Sequence, residues 1–185
     1  MTQPAATIYQ LRVSLLESTP AIWRQMQVRS DVSLYRLHRI LQVVMGWTNS
    51  HLYQFIVNRR MYGQPDPEFG MDITNAQRVK LGEVVPRQGR KFTYEYDFGD
   101  CWEHQLVVEA ILPAAPGVHY PVCLAGARAC PPEDCGGSPG YEHLLEVLQN
   151  PQDAEYEELL EWVGGPFDPE AFDVETVNRQ LRRMR

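Results

Sequence analysis

The strongest constraint on the fold is a strict alternation of apolar and polar residues in runs joined by short turns. Residues 91–98, KFTYEYDF, and residues 104–112, HQLVVEAIL, flank the four-residue turn 99–102. Residues 7–17 and 21–29 alternate in the same way on either side of a turn that contains proline. A period of two is typical of strands with one buried face, and short connections pair them antiparallel. The sequence therefore predicts two β-hairpins.

Other segments have helical spacing of apolar residues. Residues 33–45 form an amphipathic run that Ser33 or Asp31 could cap and Gly46 could end. His38 lies off the apolar stripe, and we expect it at the surface. Strands come first and helices mostly last, which indicates an α+β fold with an antiparallel or mixed sheet packed against helices. Further helices are predicted at 139–149, 152–163 and 174–183.

The length of 185 residues predicts a single α+β domain over 1–185. Residues 1–112 form mainly sheet plus one helix, 113–138 a loop rich in Pro, Gly and Cys, and 139–185 a helical third. Residues 63–78 are expected to form a surface loop.

Composition and sequence pattern give an expectation for the cellular location of the protein. No apolar run approaches the roughly 20 residues of a membrane span. The N-terminal residues lack the charged and apolar regions of a signal peptide, so we expect a cytoplasmic protein without a membrane partner. In a reducing cytoplasm, four cysteines within a 35-residue window favour free thiols or metal ligands over disulfides.

The cysteines raise the question of zinc. Cys101 and His104 have a spacing that allows both to bind one ion, and Cys123, Cys130 and Cys135 follow on the long loop. Structural zinc takes four nitrogen or sulfur ligands, usually in close pairs. The chain has no CxxC pair, so small buried thiols without an ion are the alternative.

Polar side chains concentrate in two short stretches. Residues 96–104, YDFGDCWEH, are a hairpin end that holds Asp97 and Asp100, and residues 130–137, CPPEDCGG, present Glu133 and Asp134 beside two glycines. These carboxylates could bind a hard cation, accept from an arginine or cap the next helix. Arg24 is the natural counter-charge, because it falls on the apolar face of its strand and needs a carboxylate or carbonyl partner.

Charge is divided unevenly along the chain. Residues 1–91 hold 12 Lys/Arg and 6 Asp/Glu, whereas residues 92–185 hold 5 and 18. The acidic half disfavours a general polyanion binder, so a protein partner is favoured over nucleic acid. The basic half allows a nucleic-acid surface if its arginines share one face. Solvated faces that attract one another across the fold are the favoured interpretation of the uneven charge. No phosphate loop, G-x-S-x-G or H-E-x-x-H motif is present.

Five stretches together resemble the plasmid pRiA4b ORF-3-like family: PAIWRQMQV (20–28), LYRLHRILQVVMGWTNSHLYQF (34–55), YEYDFGDCWEHQLVVE (94–109), CLAGARACPPEDCGGSPGYEHLLEVL (123–148) and EWVGGPFDPEAFDVETVN (161–178). The resemblance implies an α+β fold and an origin on plasmids or mobile elements, where some members carry a resolvase-like label. Positions 101 and 135 are variable in the family's motif, so His104, Cys123 and Cys130 are its better metal candidates. Mapped onto this chain, the motif singles out Arg24, Trp47, His51, Asp97, Asp100, Trp102, His104, Pro132, Glu133, Asp134, Gly136 and Gly137.

Three functions follow as hypotheses. The first is a binding or interaction module, linked to plasmid or mobile-element biology, whose polar site joins the 96–104 turn to the 123–137 loop. The second is a metal-dependent hydrolase or nuclease that uses the same cluster. The third is a nucleic-acid-binding accessory protein that uses the basic N-terminal half. The binding candidates are Arg24, Asp97, Asp100, His104, Glu133 and Asp134, and the metal candidates are His104, Cys123, Cys130, Cys101 and Cys135, with zinc as the ion.

Overall fold

The structure, a computed structural model, describes residues 7–65 and 73–184. Its centre is an eight-stranded sheet in the order β5-β4-β3-β6-β7-β1-β2-β8. This confirms the α+β class, and the sheet is mostly antiparallel. The strands are β1 Thr7–Leu15, β2 Trp23–Arg29, β3 Tyr53–Val57, β4 Arg60–Gly63, β5 Ile73–Asn75, β6 Lys91–Tyr96, β7 Trp102–Pro113 and β8 Val122–Ala127.

Both predicted hairpins are present at the middle of the sheet. β1 pairs antiparallel with β2, and β6 pairs antiparallel with β7 in a register that places Tyr94 opposite His104. Alternate residues of β6 are buried, from Phe92 through Tyr94 to Tyr96, as the period of two predicts. Long β7 also pairs with β1, so the two hairpins form one continuous surface.

Two strands lie in segments that we expected to be loops. β5 falls within the predicted 63–78 loop and pairs parallel with β4, which makes the sheet mixed; residues 66–72 of that loop lie outside the described part. β8 lies within the 113–138 segment and pairs with β2. The prediction of an irregular loop was wrong there, because the sequence VCLAGA has a weak strand pattern and pairing with β2 supplies the order instead.

The helices cover the sheet and its β8 edge. Ser33 caps α1 by accepting from the Arg36 N–H, and Gly46 ends it in the left-handed conformation, as predicted. Asn178 of α5 exchanges two 2.8 Å hydrogen bonds with the Cys123 backbone of β8. The last third holds three helices separated by irregular chain, so its helical character is confirmed in part. The helices are α1 Leu34–Met45, α2 Leu81–Val84, α3 Gly137–Leu148, α4 Tyr156–Trp162 and α5 Val174–Arg183.

In the described ranges, every helix is too short or too polar to cross a lipid bilayer.

The expected surface position of His38 was wrong, since this residue is 1% exposed. Its ring stacks on Tyr53 at 3.6 Å between centroids and lies between Asn49 and Tyr94. Because Asn49 Oδ1 can only accept, Nε2 carries the proton, and Nδ1 then accepts from the Tyr94 hydroxyl at 2.8 Å. Burial lowers the pKa of His38 to about 4, so the neutral ring persists. Packing of α1 against the aromatic face of β6 places a polar residue in the core.

Candidate functional site

Three segments that are distant in the sequence meet at one end of the sheet. They are residues 47–51 after α1, the 97–101 turn between β6 and β7, and the 130–137 loop before α3. Trp47 joins the first to the third, because its Nε1–H donates to the Pro131 carbonyl at 3.0 Å. The indole is buried against Tyr96, with ring centroids 4.9 Å apart. The geometry thus brings the hairpin end and the CPPEDCGG loop together.

Glu133 lies at the centre of this junction. Its carboxylate accepts from the Thr48 N–H at 3.3 Å, from the Thr48 hydroxyl and from the Tyr96 hydroxyl. The Tyr96 oxygen in turn accepts from the Ser50 and His51 N–H groups at 3.0 and 3.3 Å. Burial, and after it the hydrogen bond to Glu133, raise the pKa of Tyr96. The phenol therefore stays protonated and donates to Glu133.

His51 faces two carboxylates. Its Nε2 lies 3.2 Å from Asp134 Oδ1 and 3.6 Å from Asp97 Oδ2. Asp97 and Asp134 have φ of 58° and 60°, a region that few side-chain-bearing residues occupy. Such backbone conformations cluster at functional sites and tight turns. These turns aim both carboxylates at one imidazole.

Asp100 and the two glycines dock the loop on the hairpin. Asp100 Oδ2 accepts from the Gly136 N–H at 3.2 Å. Gly137 has φ of 68°, and a Cβ there would lie 2.7 Å from the Asp100 carbonyl oxygen. Glycine serves two purposes in this loop, because Gly136 and Gly137 both have positive φ and Gly137 allows the close backbone approach.

Arg24 does not act as a counter-charge to these acids. The residue is 1% exposed, and its guanidinium donates to the carbonyls of Val44, Trp23 and Ala127 at 2.7–2.8 Å. Phe172 covers its face at 4.0 Å. We expected an inward-facing arginine to bind either a carboxylate or a carbonyl, and Arg24 binds carbonyls. Arg24 also cannot contribute to an exposed basic face.

His104 belongs to the sheet core. It is fully buried beside Trp47, and its Nδ1 lies 3.2 Å from the Tyr94 carbonyl oxygen. Its Nε2 has no hydrogen-bond partner among the described residues. Burial lowers the pKa of this imidazole to about 4. A neutral histidine here supports the aromatic packing beneath the site and does not face the carboxylate cluster.

The cysteines and His104 do not assemble the expected metal set. Within residues 7–65 and 73–184, the one group of three His, Cys, Asp or Glu whose ligand atoms come within 4.8 Å of one another is His51, Asp97 and Asp134. Cys101 is exposed on the turn, whereas Cys123 is buried on β8. Burial raises the pKa of Cys130 and Cys135 to about 12, so these thiols are protonated. The zinc site predicted from sulfur ligands has no support in this geometry.

A cleft of about 650 Å³ opens beside the junction, between the end of α1, the 129–133 strip and the chain from Val163 into α5. Thr48 and Glu133 belong both to the junction and to the cleft wall. Sequence reasoning missed the cleft, because it forms only when α5 packs against α1 and β8. Its apolar wall includes Val44, Trp47, Pro131, Phe167, Phe172 and Val177, and its polar groups include Asp173 and Gln180.

Sequence reasoning also left His51 and Tyr96 out of the polar cluster. His51 was present in the family's motif, which was the available signal, but its neighbours in sequence are not acidic. Tyr96 looked like an ordinary residue of the alternating strand. Both join the site through contacts with residues at least 37 positions away in the chain.

Comparison with known proteins finds relatives that match nearly the whole chain. An uncharacterized protein, y4hQ of Sinorhizobium fredii, is 40% identical over 178 residues, which cover 95% of this chain and 91% of that protein. The crystal structure of a protein of unknown function, MM3350 from Methanosarcina mazei Go1, superposes with a TM-score of 0.84 at 37% identity. That match covers 93% of this chain and 98% of the other. A sequence model of the plasmid pRiA4b ORF-3-like proteins matches residues 7–176, so this chain belongs to that family.

Proposed function

We propose that this protein is an interaction module that binds a basic segment of another protein, with an apolar side chain of that segment inserted in the cleft. The observation that carries the proposal is a cleft of about 650 Å³ whose walls are mainly apolar and whose lining includes two carboxylates, Glu133 and Asp173. Ligand sites are typically of this size, mostly apolar, and oriented by a few polar groups.

The charge of the cleft favours a cationic partner. Among the described residues, Arg24 is the one cation in the cleft wall, and its donors are already bound to backbone carbonyls. Glu133 and Asp173 are the anionic groups of the wall in that part of the chain. The acidic helix α4 ends directly before Val163 of the same wall, and the half of the chain from residue 92 carries 18 acidic residues against 5 basic ones. Complementary potentials of this kind guide association and reject wrong partners.

The alternative of nucleic-acid binding through the N-terminal half is less well supported. It needs Arg24, Arg36, Arg39, Arg59 and Arg60 on one connected face, but Arg24 is buried. Arg36 already donates to the Met184 carbonyl at 3.0 Å. The carboxylates that line the cleft would also oppose the approach of a polyanion.

A matched peptide set tests the proposal. One fluorescent peptide carries a central Trp flanked by Lys, a second has the Lys residues replaced by Glu, and a third has the Trp replaced by Ala. Anisotropy titrations should show binding of the Lys-Trp peptide, weakened by salt, and at least about tenfold weaker binding of the other two, a difference of ~1.4 kcal/mol. The proposal is refuted by equal binding of the Lys and Glu peptides, or by no binding of the Lys-Trp peptide up to about 1 mM.

A cleft-filling variant locates the binding surface. Gln180 is exposed and lines the cleft, so Gln180→Trp should fill part of it and reduce binding of the Lys-Trp peptide. Arg183→Trp places the same side chain on an exposed position of α5 outside the cleft wall and serves as the control. Equal affinities of the two variants for the Lys-Trp peptide would show that the peptide binds at a surface other than the cleft.

A further inference from the structure

The cluster of His51, Asp97 and Asp134 places two carboxylates near one imidazole nitrogen without a hydrogen bond to it. The His51 Nε2 is buried and, in the described chain, has no partner that meets hydrogen-bond geometry. The Asp97 side chain is 9% exposed, and the Gly99 and Asp100 N–H groups that bind its carboxylate both reach Oδ1. Asp97 Oδ2 is therefore left facing the imidazole nitrogen. A second carboxylate oxygen, from Asp134, approaches the same nitrogen.

The local fold holds these groups in place. The Asp97 N–H donates to the Leu52 carbonyl at 2.9 Å, which sets the end of β6 beside residues 51 and 52. The His51 N–H binds the Tyr96 oxygen, and Tyr96 binds Glu133, the residue next to Asp134. Hydrogen bonds of the Leu52 carbonyl, the Tyr96 hydroxyl and the Glu133 carboxylate thus link the three chain segments that carry the cluster. Preorganisation by surrounding hydrogen bonds is typical of metal ligands.

The two nitrogen–oxygen distances match a tetrahedral coordination shell, and all three ligand atoms lie within 4.8 Å of one another. Zinc binds histidine nitrogen at about 2.0–2.1 Å and carboxylate oxygen at about 2.0–2.2 Å, so tetrahedral ligand atoms lie about 3.4 Å apart. The distances from Nε2 to the two oxygens are 3.2 and 3.6 Å. We propose that His51, Asp97 and Asp134 form a binding site for a divalent transition-metal ion such as Zn²⁺.

This site differs in chemistry from a cysteine site. Imidazole nitrogen suits Zn²⁺ and its transition-metal neighbours, carboxylate oxygen also accepts Mn²⁺, and no sulfur takes part. Three protein ligands leave a position for water or a ligand group, which is the arrangement of sites that exchange ligands. Asp134 is 70% exposed, so this position is open to solvent. The site does not depend on the cleft, and it can exist whether or not a peptide binds there.

Calorimetry on the untagged full chain tests the site. After chelator treatment, titration with Zn²⁺ should show one ion per chain, and Mn²⁺ should compete. Asp134→Asn and His51→Gln should raise the Kd for Zn²⁺ at least about tenfold. Mutation of residues that only hydrogen-bond to metal ligands already weakens metal binding by that factor. Glu103→Gln, an exposed carboxylate on β7 near the same turn, is the matched control and should leave the Kd unchanged. Asp134 is exposed, so Asp134→Asn is expected to leave the melting temperature of the metal-free protein unchanged.

Cobalt distinguishes the ligand sets. Co²⁺ bound by nitrogen and oxygen gives weak visible bands, whereas thiolate ligation adds an intense ultraviolet charge-transfer band. The proposal is overturned if Zn²⁺ binds with a Kd above about 1 mM, if Asp134→Asn binds like the parent, or if Cys130→Ser abolishes binding together with a thiolate band. Peptide anisotropy in the presence of chelator, and Zn²⁺ titration of Gln180→Trp, separate failure of this site from failure of the cleft.

Discussion

Gly137→Ala should destabilise the protein through one backbone contact. A Cβ at this position would lie 2.7 Å from the Asp100 carbonyl oxygen, closer than side-chain carbons approach backbone atoms in folded proteins. The contact joins two backbone segments, so no flexible side chain can move aside. The loop must shift, which strains the neighbouring hydrogen bond from the Gly136 N–H to Asp100.

The magnitude combines two costs. Alanine at a φ of 68° pays about 1–2 kcal/mol for the left-handed conformation. Overpacking of a fitted contact adds about 1–3 kcal/mol, and the loss of the Gly136 hydrogen bond falls within that range. We therefore expect the free energy of unfolding to fall by about 3 kcal/mol.

Gly89→Ala is the matched control. Gly89 has φ of 79°, and a Cβ there would meet no atom of the described residues within 4 Å. Its N–H donates to the Val108 carbonyl at 2.8 Å. This variant pays only the conformational cost, about 1–2 kcal/mol. Urea unfolding followed by circular dichroism measures both variants. Losses that agree within about 0.5 kcal/mol would refute the docking of the loop on the hairpin.

Three further predictions concern stability and thiol chemistry. The free energy of unfolding should fall as the pH drops from about 6.5 to about 4, because buried His38 and His104 each bind a proton more weakly in the folded state than in the unfolded state. His38→Gln should reduce the slope of unfolding free energy against pH by up to about 1.4 kcal/mol per unit in that window, and an unchanged slope would contradict the assignment. Trp47→Phe should lower the free energy of unfolding in urea by about 1–3 kcal/mol, because it leaves the Pro131 carbonyl without its donor. Trp162→Phe is the control and should change this free energy little, since Trp162 is 47% exposed. Equal losses for the two variants would argue against the hydrogen bond from Trp47 to Pro131. A colorimetric thiol reagent should label exposed Cys101 first in the native protein and all four cysteines after denaturation. Equally rapid native labelling of all four thiols would contradict the lower exposure of Cys123, Cys130 and Cys135.

The strands and helices that periodicity predicted are those whose apolar face was already complete in the local sequence. β6, with buried Phe92, Tyr94 and Tyr96, and α1, with Ser33 and Gly46 as caps, are examples. β8 escaped prediction, because its residues do not alternate clearly and its order comes from pairing with β2 and from Asn178 of α5. A strand whose support comes from distant partners leaves little signal in its own residues.

The candidate site likewise has features that local sequence predicted and features that depend on distant contacts. Turn chemistry placed Asp97, Asp100, Glu133 and Asp134 at a hairpin end and a glycine-rich loop, and the structure brings these two segments together. The side chains that contact these acids are not the one that we predicted, Arg24. Arg24 binds carbonyls within the core, and His51 and Tyr96 are the side chains that contact the carboxylates. Side-chain type indicated which residues could act, but not which of them would meet.

The sequence by itself determined the class of fold, the hairpins, the caps of α1 and the polar character of two turns, because each depends on residues within a few positions of one another. Only the tertiary structure decided that His38 and His104 are buried, that the cysteines join no group of three metal ligands among the described residues, and that His51 meets Asp97 and Asp134. The 46 and 83 positions that separate His51 from its two carboxylates are closed by the pairing of β3 with β6 and by the docking of the 130–137 loop on Trp47. Those contacts exist only once the sheet has assembled, since local periodicity carries no information about which distant segments pack together.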